Sequence, residues 1–150
     1  MLLAIETSCD ETALTLFDLE RYLSGSSALE CIHYEAISSQ AELHAVYGGV
    51  VPELAAREHL NNLPLLLEDA LATSEISRQD ISAIAVTQGP GLKGCLLVGI
   101  SFAKAFAFAN NIPLIPVHHI EAHLMSALLA RADFLDNQSG NGITIALIVS

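Results

Sequence analysis

An α/β fold built around a mixed sheet is what this sequence predicts, and three observations carry that expectation. The first forty residues hold three consecutive strand-like runs separated by short polar turns. The apolar spacing then changes from two to between three and four, as it does when strands give way to helices. From residue 53 onward helical and strand-like stretches alternate, which calls for parallel strands joined by right-handed crossovers.

Leu2-Leu-Ala-Ile-Glu6 reads as a short apolar strand, and Thr7-Ser-Cys-Asp-Glu-Thr12 as a polar turn. Residues 13–18 form a second strand, Gly25-Ser26-Ser27 marks a turn, and 28–38 form a third strand with loose alternation. Three strands with short turns suggest an antiparallel meander. After Gly48-Gly49 and Pro52, residues 53–72 show helical spacing, with Leu54, Leu60, Leu63, Leu67, Ala70 and Leu71 recurring. Ala83–Thr87 is a short buried strand, punctuated by Gly89-Pro90-Gly91, and a long apolar helix follows to about Asn110. The strand 114–117 comes next, then a helix from about His118 to Ala132. Residues 133–142 are polar and have linker composition, and Ile143–Val149 is a strand of the kind that is buried on both faces.

The order βββαβαβα is that of a ribonuclease-H-like lobe, the architecture shared by the actin, Hsp70 and sugar-kinase (ASKHA) group. Residues 1–136 would form this lobe, 137–142 a linker, and 143–150 the first strand of a second lobe. On this reading the chain is part of a longer protein.

Composition narrows the function classes. The chain is 52% hydrophobic but only 5% aromatic, so Ala, Leu, Ile and Val must build the core. So apolar a domain often leaves a face for another domain or subunit. Net charge is −11, and the six cations Arg21, Arg57, Arg78, Lys93, Lys104 and Arg131 are scattered. A stand-alone nucleic-acid binder shows a basic stripe instead. Cys9, Cys31 and Cys95 form no CxxC pair, which argues against a zinc ribbon or a disulfide framework. No basic region precedes the first apolar run, and the apolar stretch 94–109 is short for a membrane span and contains Lys104. A cytoplasmic protein with no membrane segment is expected.

His119-Ile-Glu-Ala-His123 carries the sharpest chemical signal. On a helix this spacing stacks two imidazoles on one face, where both can grip a divalent metal. His118 is rotated about 100° from His119 and should not share that ion. The metallopeptidase signature places its general-base Glu directly after the first His. Ile120 stands there, and Glu121 comes one residue later, so peptidase chemistry is disfavoured. In the turn at residues 6–12, Glu6, Ser8, Asp10 and Glu11 could hold phosphates or a magnesium ion, though such residues also favour turns for their own sake. Gly89-Pro-Gly-Leu-Lys-Gly94 lacks the Walker order and fits a tight strand-to-helix turn as well as an anion site. Gly94 and Gly99 suit close helix packing.

Four stretches together resemble one family. They are Ile5-Glu-Thr-Ser-Cys-Asp-Glu-Thr12, the run from His44 to Arg57 containing Tyr47-Gly-Gly-Val-Val-Pro-Glu53, Gly89-Pro-Gly-Leu-Lys-Gly94 and Val117-His-His-Ile-Glu-Ala-His123. In this order they look like the N-terminal part of the TsaD-type (Gcp/YgjD) family, bacterial tRNA adenosine threonylcarbamoyltransferases once labelled sialoglycoprotein endopeptidases. The resemblance implies an ASKHA fold and transfer of threonylcarbamoyl from threonylcarbamoyl-AMP to N6 of the adenosine next to the anticodon, position 37. It implies that His119 and His123 bind one iron or zinc ion per subunit; magnesium with a nucleotide is an expectation of the acidic turn at residues 6–12 alone. The ion would polarise the threonylcarbamoyl carbonyl as a Lewis acid.

It further implies that the adenylate-binding loop begins at Ile148, Val149 and Ser150, and that the third metal ligand, an Asp of the second lobe, lies outside this chain. Lys93 replaces the apolar residue usual in the glycine loop. The implied partners are a TsaB-like paralogue, a TsaE-like ATPase and tRNA, and residues 1–150 alone are expected to be inactive. A non-catalytic TsaB-like subunit is the alternative, but that paralogue typically lacks the His pair. A sugar or acetate kinase of the same fold has no feature here to select it.

Overall fold

The computed structural model describes residues 1–129. The expected linker at 137–142, the strand at 143–150 and the adenylate-loop residues Ile148, Val149 and Ser150 lie outside the described residues.

Among the described residues, five strands form one mixed sheet in the order β3-β2-β1-β4-β5. β1 (Leu2–Glu6), β2 (Glu11–Phe17) and β3 (Ile32–Ser39) make the antiparallel meander. β4 (Ala83–Gly89) and β5 (Leu114–His118) join β1 in parallel. A two-residue period puts Leu3, Ile5, Leu14, Leu16, Ile84 and Val86 on one face, where they are buried. Two long helices cover that face. α3 (Pro52–Thr73) contributes Leu63, Leu67 and Ala70, and α4 (Lys93–Asn110) contributes Ala103 and Ala107. Each fully buried Leu or Ile here stabilises the fold by about 1.5–3 kcal/mol.

Local chemistry sets the helix limits. Pro52 occupies the first turn of α3, where its missing N–H costs nothing. Pro64 sits inside the same helix and removes one backbone bond, yet α3 continues because Leu63 and Leu67 are buried against the sheet. α4 stops at Asn111, which adopts the left-handed conformation (φ 53°) common at helix ends.

The expected element order holds, with refinements. Two five-residue helices, α1 (Leu19–Leu23) and α2 (Ala41–Ala45), interrupt the loops around β3. Residues 29–31 form a 3-10 turn, so β3 begins at Ile32 rather than 28. The buried stripe of α3 is Ala55, His59, Leu63, Leu67 and Ala70, while Leu60 is 61% exposed. Helix α5 is described over His119–Leu129 and starts one residue later than expected, because His118 closes β5. It lies on the second face of the sheet, beside Ala85 and Thr87, leaving an open cleft of about 440 Å³.

Candidate functional site

The parallel strands β1, β4 and β5 all finish at one edge of the sheet, where open α/β folds place their ligands. The turn that follows β1 is fixed there from several sides. Thr7 is buried, and its hydroxyl donates to the Cys95 carbonyl of α4 at 3.0 Å. The Ser8 carbonyl accepts from the Leu92 N–H at 2.8 Å. Gly91 lies so close that a Cβ there would come within 2.6 Å of the Ser8 oxygen, and a Cβ at Gly99 would overlap the Thr7 hydroxyl. The glycine-rich stretch thus acts as a seat for the turn, and Gly99 serves close packing as expected.

A buried polar cluster fixes the far half of the turn. His59 has no exposed surface and bridges the Thr12 hydroxyl (2.7 Å, Nδ1) and the Cys9 carbonyl (3.0 Å, Nε2). A carbonyl only accepts, so Nε2 carries the hydrogen and Nδ1 accepts from Thr12. Burial pushes the His59 pKa down and keeps the ring neutral. The Gln40 N–H donates to the Asp10 carbonyl at 3.0 Å, and the Gln40 side-chain oxygen accepts from His44 Nε2 at 3.1 Å. His44 Nδ1 in turn accepts from the Val51 N–H at 3.3 Å. Glu11 projects from this frame into solvent, and Asp10 is partly exposed beside it.

Three strand and helix ends meet at Glu6. One carboxylate oxygen accepts from the Ser8 backbone N–H and the other from the Thr87 hydroxyl. The second oxygen also lies 3.3 Å from His119 Nδ1, which the Ser8 hydroxyl approaches at the same distance. Burial raises the Glu6 pKa, but the bonds from Ser8, Thr87 and His119 outweigh it and hold the carboxyl below its ordinary value. On the opposite side of His119, Nε2 faces His123 Nε2 at 3.1 Å, with the rings nearly perpendicular at 84°.

Two nitrogens can share one ion with bonds of about 2.0–2.1 Å only when they lie within about 4 Å of each other. The pair meets that condition, and an imidazole donor set suits zinc or iron. No third His, Cys, Asp or Glu joins them in a group able to hold a metal among the described residues.

The structure therefore brings together Glu6, Ser8, His119 and His123, while Asp10 ends the same turn and Glu11 opens β2. His118 ends β5 and does not join the pair. Cys9 is exposed, and desolvation together with the neighbouring Asp10 raises its pKa, the opposite of an activated nucleophile. Sequence reasoning missed Thr87, His44 and His59. His59 had a legible signal: it falls four residues from both Ala55 and Leu63, in the register that faces the sheet.

Fold and site define a class, an ASKHA-type lobe with paired imidazoles at the C-terminal edge of its parallel strands. Comparison with known proteins narrows it. The profile of TsaD, described as tRNA N6-adenosine threonylcarbamoyltransferase, matches residues 31–137, and the chain belongs to that family. It is 50% identical over 131 residues to the tRNA N6-adenosine threonylcarbamoyltransferase of Geobacter sulfurreducens, covering 87% of this chain and 36% of that protein. The protein of the same name from Burkholderia pseudomallei is 53% identical over 129 residues, covering 86% of this chain and 35% of its own length. The chain thus spans about a third of these relatives. Among solved structures, YeaZ from Pseudomonas aeruginosa superposes with a TM-score of 0.55 at 20% identity, covering 78% of this chain and 44% of YeaZ. That likeness shows the shared actin-like fold.

Proposed function

We propose that this chain is the metal-bearing lobe of a tRNA N6-adenosine threonylcarbamoyltransferase, which moves threonylcarbamoyl from threonylcarbamoyl-AMP to N6 of the adenosine at position 37. One observation carries the reading: two imidazole nitrogens converge at 3.1 Å, at a sheet edge, in a chain half identical to proteins of that name.

His119 and His123 hold one iron or zinc ion. When bound, the ion supplies Lewis-acid polarisation of the threonylcarbamoyl carbonyl. Asp10 and Glu11 present carboxylates at the same edge, where they position magnesium and the phosphate of a nucleotide. Ile148, Val149 and Ser150 begin the adenylate-binding loop. With net charge −11, the cations that hold tRNA come from the rest of the relatives' length or from partners. A TsaB-like paralogue docks on the outer side of α3 and α4, with a TsaE-like ATPase completing a cytoplasmic assembly. The exposed Leu60 and Leu97, 61% and 65% accessible, beside Val98 and Phe102 support that surface. Among the described residues no helix is long and apolar enough to cross a membrane.

The test uses the full-length protein with the paralogue, the ATPase, threonylcarbamoyl-AMP and substrate tRNA, followed by nucleoside analysis. Threonylcarbamoyladenosine should form, and His119→Ala or His123→Ala should slow it by about 100-fold or more, as loss of a Lewis acid implies. Undiminished modification by the double variant would remove the metal from the reading. Residues 1–150 alone should retain metal weakly and transfer nothing. Tight, stoichiometric zinc binding by those residues in isothermal titration would contradict the incomplete-site reading.

A further inference from the structure

We infer that Glu6 fixes the tautomer and direction of His119, so that His119 presents its Nε2 lone pair to a divalent cation. This positioning role rests on the metal reading above. Glu6 is the only acidic group placed against His119 among the described residues, with Oε2 3.3 Å from Nδ1. The Ser8 hydroxyl, also 3.3 Å from Nδ1, can donate or accept, but a carboxylate only accepts, so the Glu6 contact favours a neutral ring with its hydrogen on Nδ1. An imidazole in water carries its hydrogen more often on Nε2, the nitrogen that here faces His123 at 3.1 Å. Left to that preference, His119 would offer a hydrogen where a metal needs a lone pair. Metal-binding histidines commonly have this kind of outer partner on the second ring nitrogen.

The carboxylate is itself held. Its two oxygens receive the Ser8 N–H and the Thr87 hydroxyl, from the turn after β1 and from β4. Ser8 is in turn seated against Gly91 and bonded to Leu92. Three separate segments thus aim one carboxylate at one ring nitrogen. Glu6 thereby acquires a job distinct from that of Asp10 and Glu11, although all three lie in one short stretch. Its oxygens are engaged by protein donors, whereas Glu11 faces solvent.

The experiment compares full-length wild type with Glu6→Gln, Thr87→Val and Glu121→Gln. Glu121 is exposed on α5 and serves as a control for a lost charge near the pair. Two quantities are read: zinc affinity by competition with a chromophoric chelator, and the His119 tautomer of the metal-free protein by long-range proton–nitrogen NMR. Glu6→Gln should weaken zinc binding by about 10–100-fold and shift His119 toward the Nε2–H form. Thr87→Val should move both readouts the same way by less, and it carries the test if Glu6→Gln does not fold. Glu121→Gln should leave both unchanged. Wild-type protein with its His119 hydrogen on Nε2, or zinc affinity and spectra unmoved by Glu6→Gln, would overturn the inference and leave the metal reading intact. Wild type that binds no zinc would sink the metal reading instead, and the NMR spectra would still decide the role of Glu6.

Discussion

At His59 two hydrogen bonds close a turn that lies fifty residues away in sequence. Replacing the ring by Ala would strand the buried Thr12 hydroxyl and the Cys9 carbonyl, each at a cost of about 1–3 kcal/mol. His59→Ala should therefore lower unfolding free energy by at least about 2 kcal/mol in urea titrations. The same ring gives stability a pH dependence of known sign. Its folded-state pKa lies below the ordinary value because burial disfavours the charged form. The unfolded chain then binds the proton more readily, so the His59 contribution is complete above about pH 6.5 and declines as pH falls from there toward the folded value. Unfolding of wild type and His59→Asn at pH 7.5 and 5.5 checks this: the variant should start lower and lose less. Tyr34 titrates far from this range, because burial and the Asp69 carboxylate at 2.6 Å push its hydroxyl up to about 12.

Among the elements, α4 depends most on residue size. Cys95, Gly99, Ala103 and Ala107 recur every four residues and face inward, so the helix backbone lies close to the turn after β1. Gly99→Ala should drive a methyl group into Thr7 and destabilise the protein by about 1–3 kcal/mol. Gly94→Ala, whose Cβ would meet only Ala56 at 3.4 Å, should stay within about 0.5 kcal/mol of wild type. Thermal unfolding of the two variants side by side separates them. All five strands and the helices α3, α4 and α5 were legible in the sequence, from apolar runs bounded by turn residues and from helical spacing. Helices α1 and α2 were not, because five residues make little more than one turn and show no period. Counting Leu60 into the apolar stripe of α3 hid His59, since a polar residue on the buried side breaks the pattern that hydrophobicity alone reveals.

For the whole molecule, charge and topology set the expectations. A chain of net charge −11 with scattered cations should show no saturable tRNA binding by fluorescence anisotropy at about 0.1 M salt, where few phosphate contacts can form. Saturable binding by this chain alone would mean that it carries its own nucleic-acid surface. The lobe architecture was legible from strand and helix order, and the His119–His123 pair from helical spacing. The link from Glu6 to His119 was not, because it spans 113 residues and exists only once β1, β4 and α5 meet.

The turn after β1 is clamped by α3, by α4 and by the loop that precedes α4. A screen that scores random mutants only for lost activity would therefore return Gly91, Gly99, His44 and His59 alongside residues that meet a reactant. Such hits would chart the scaffold, and sorting them from the chemistry needs a folding assay run on every one.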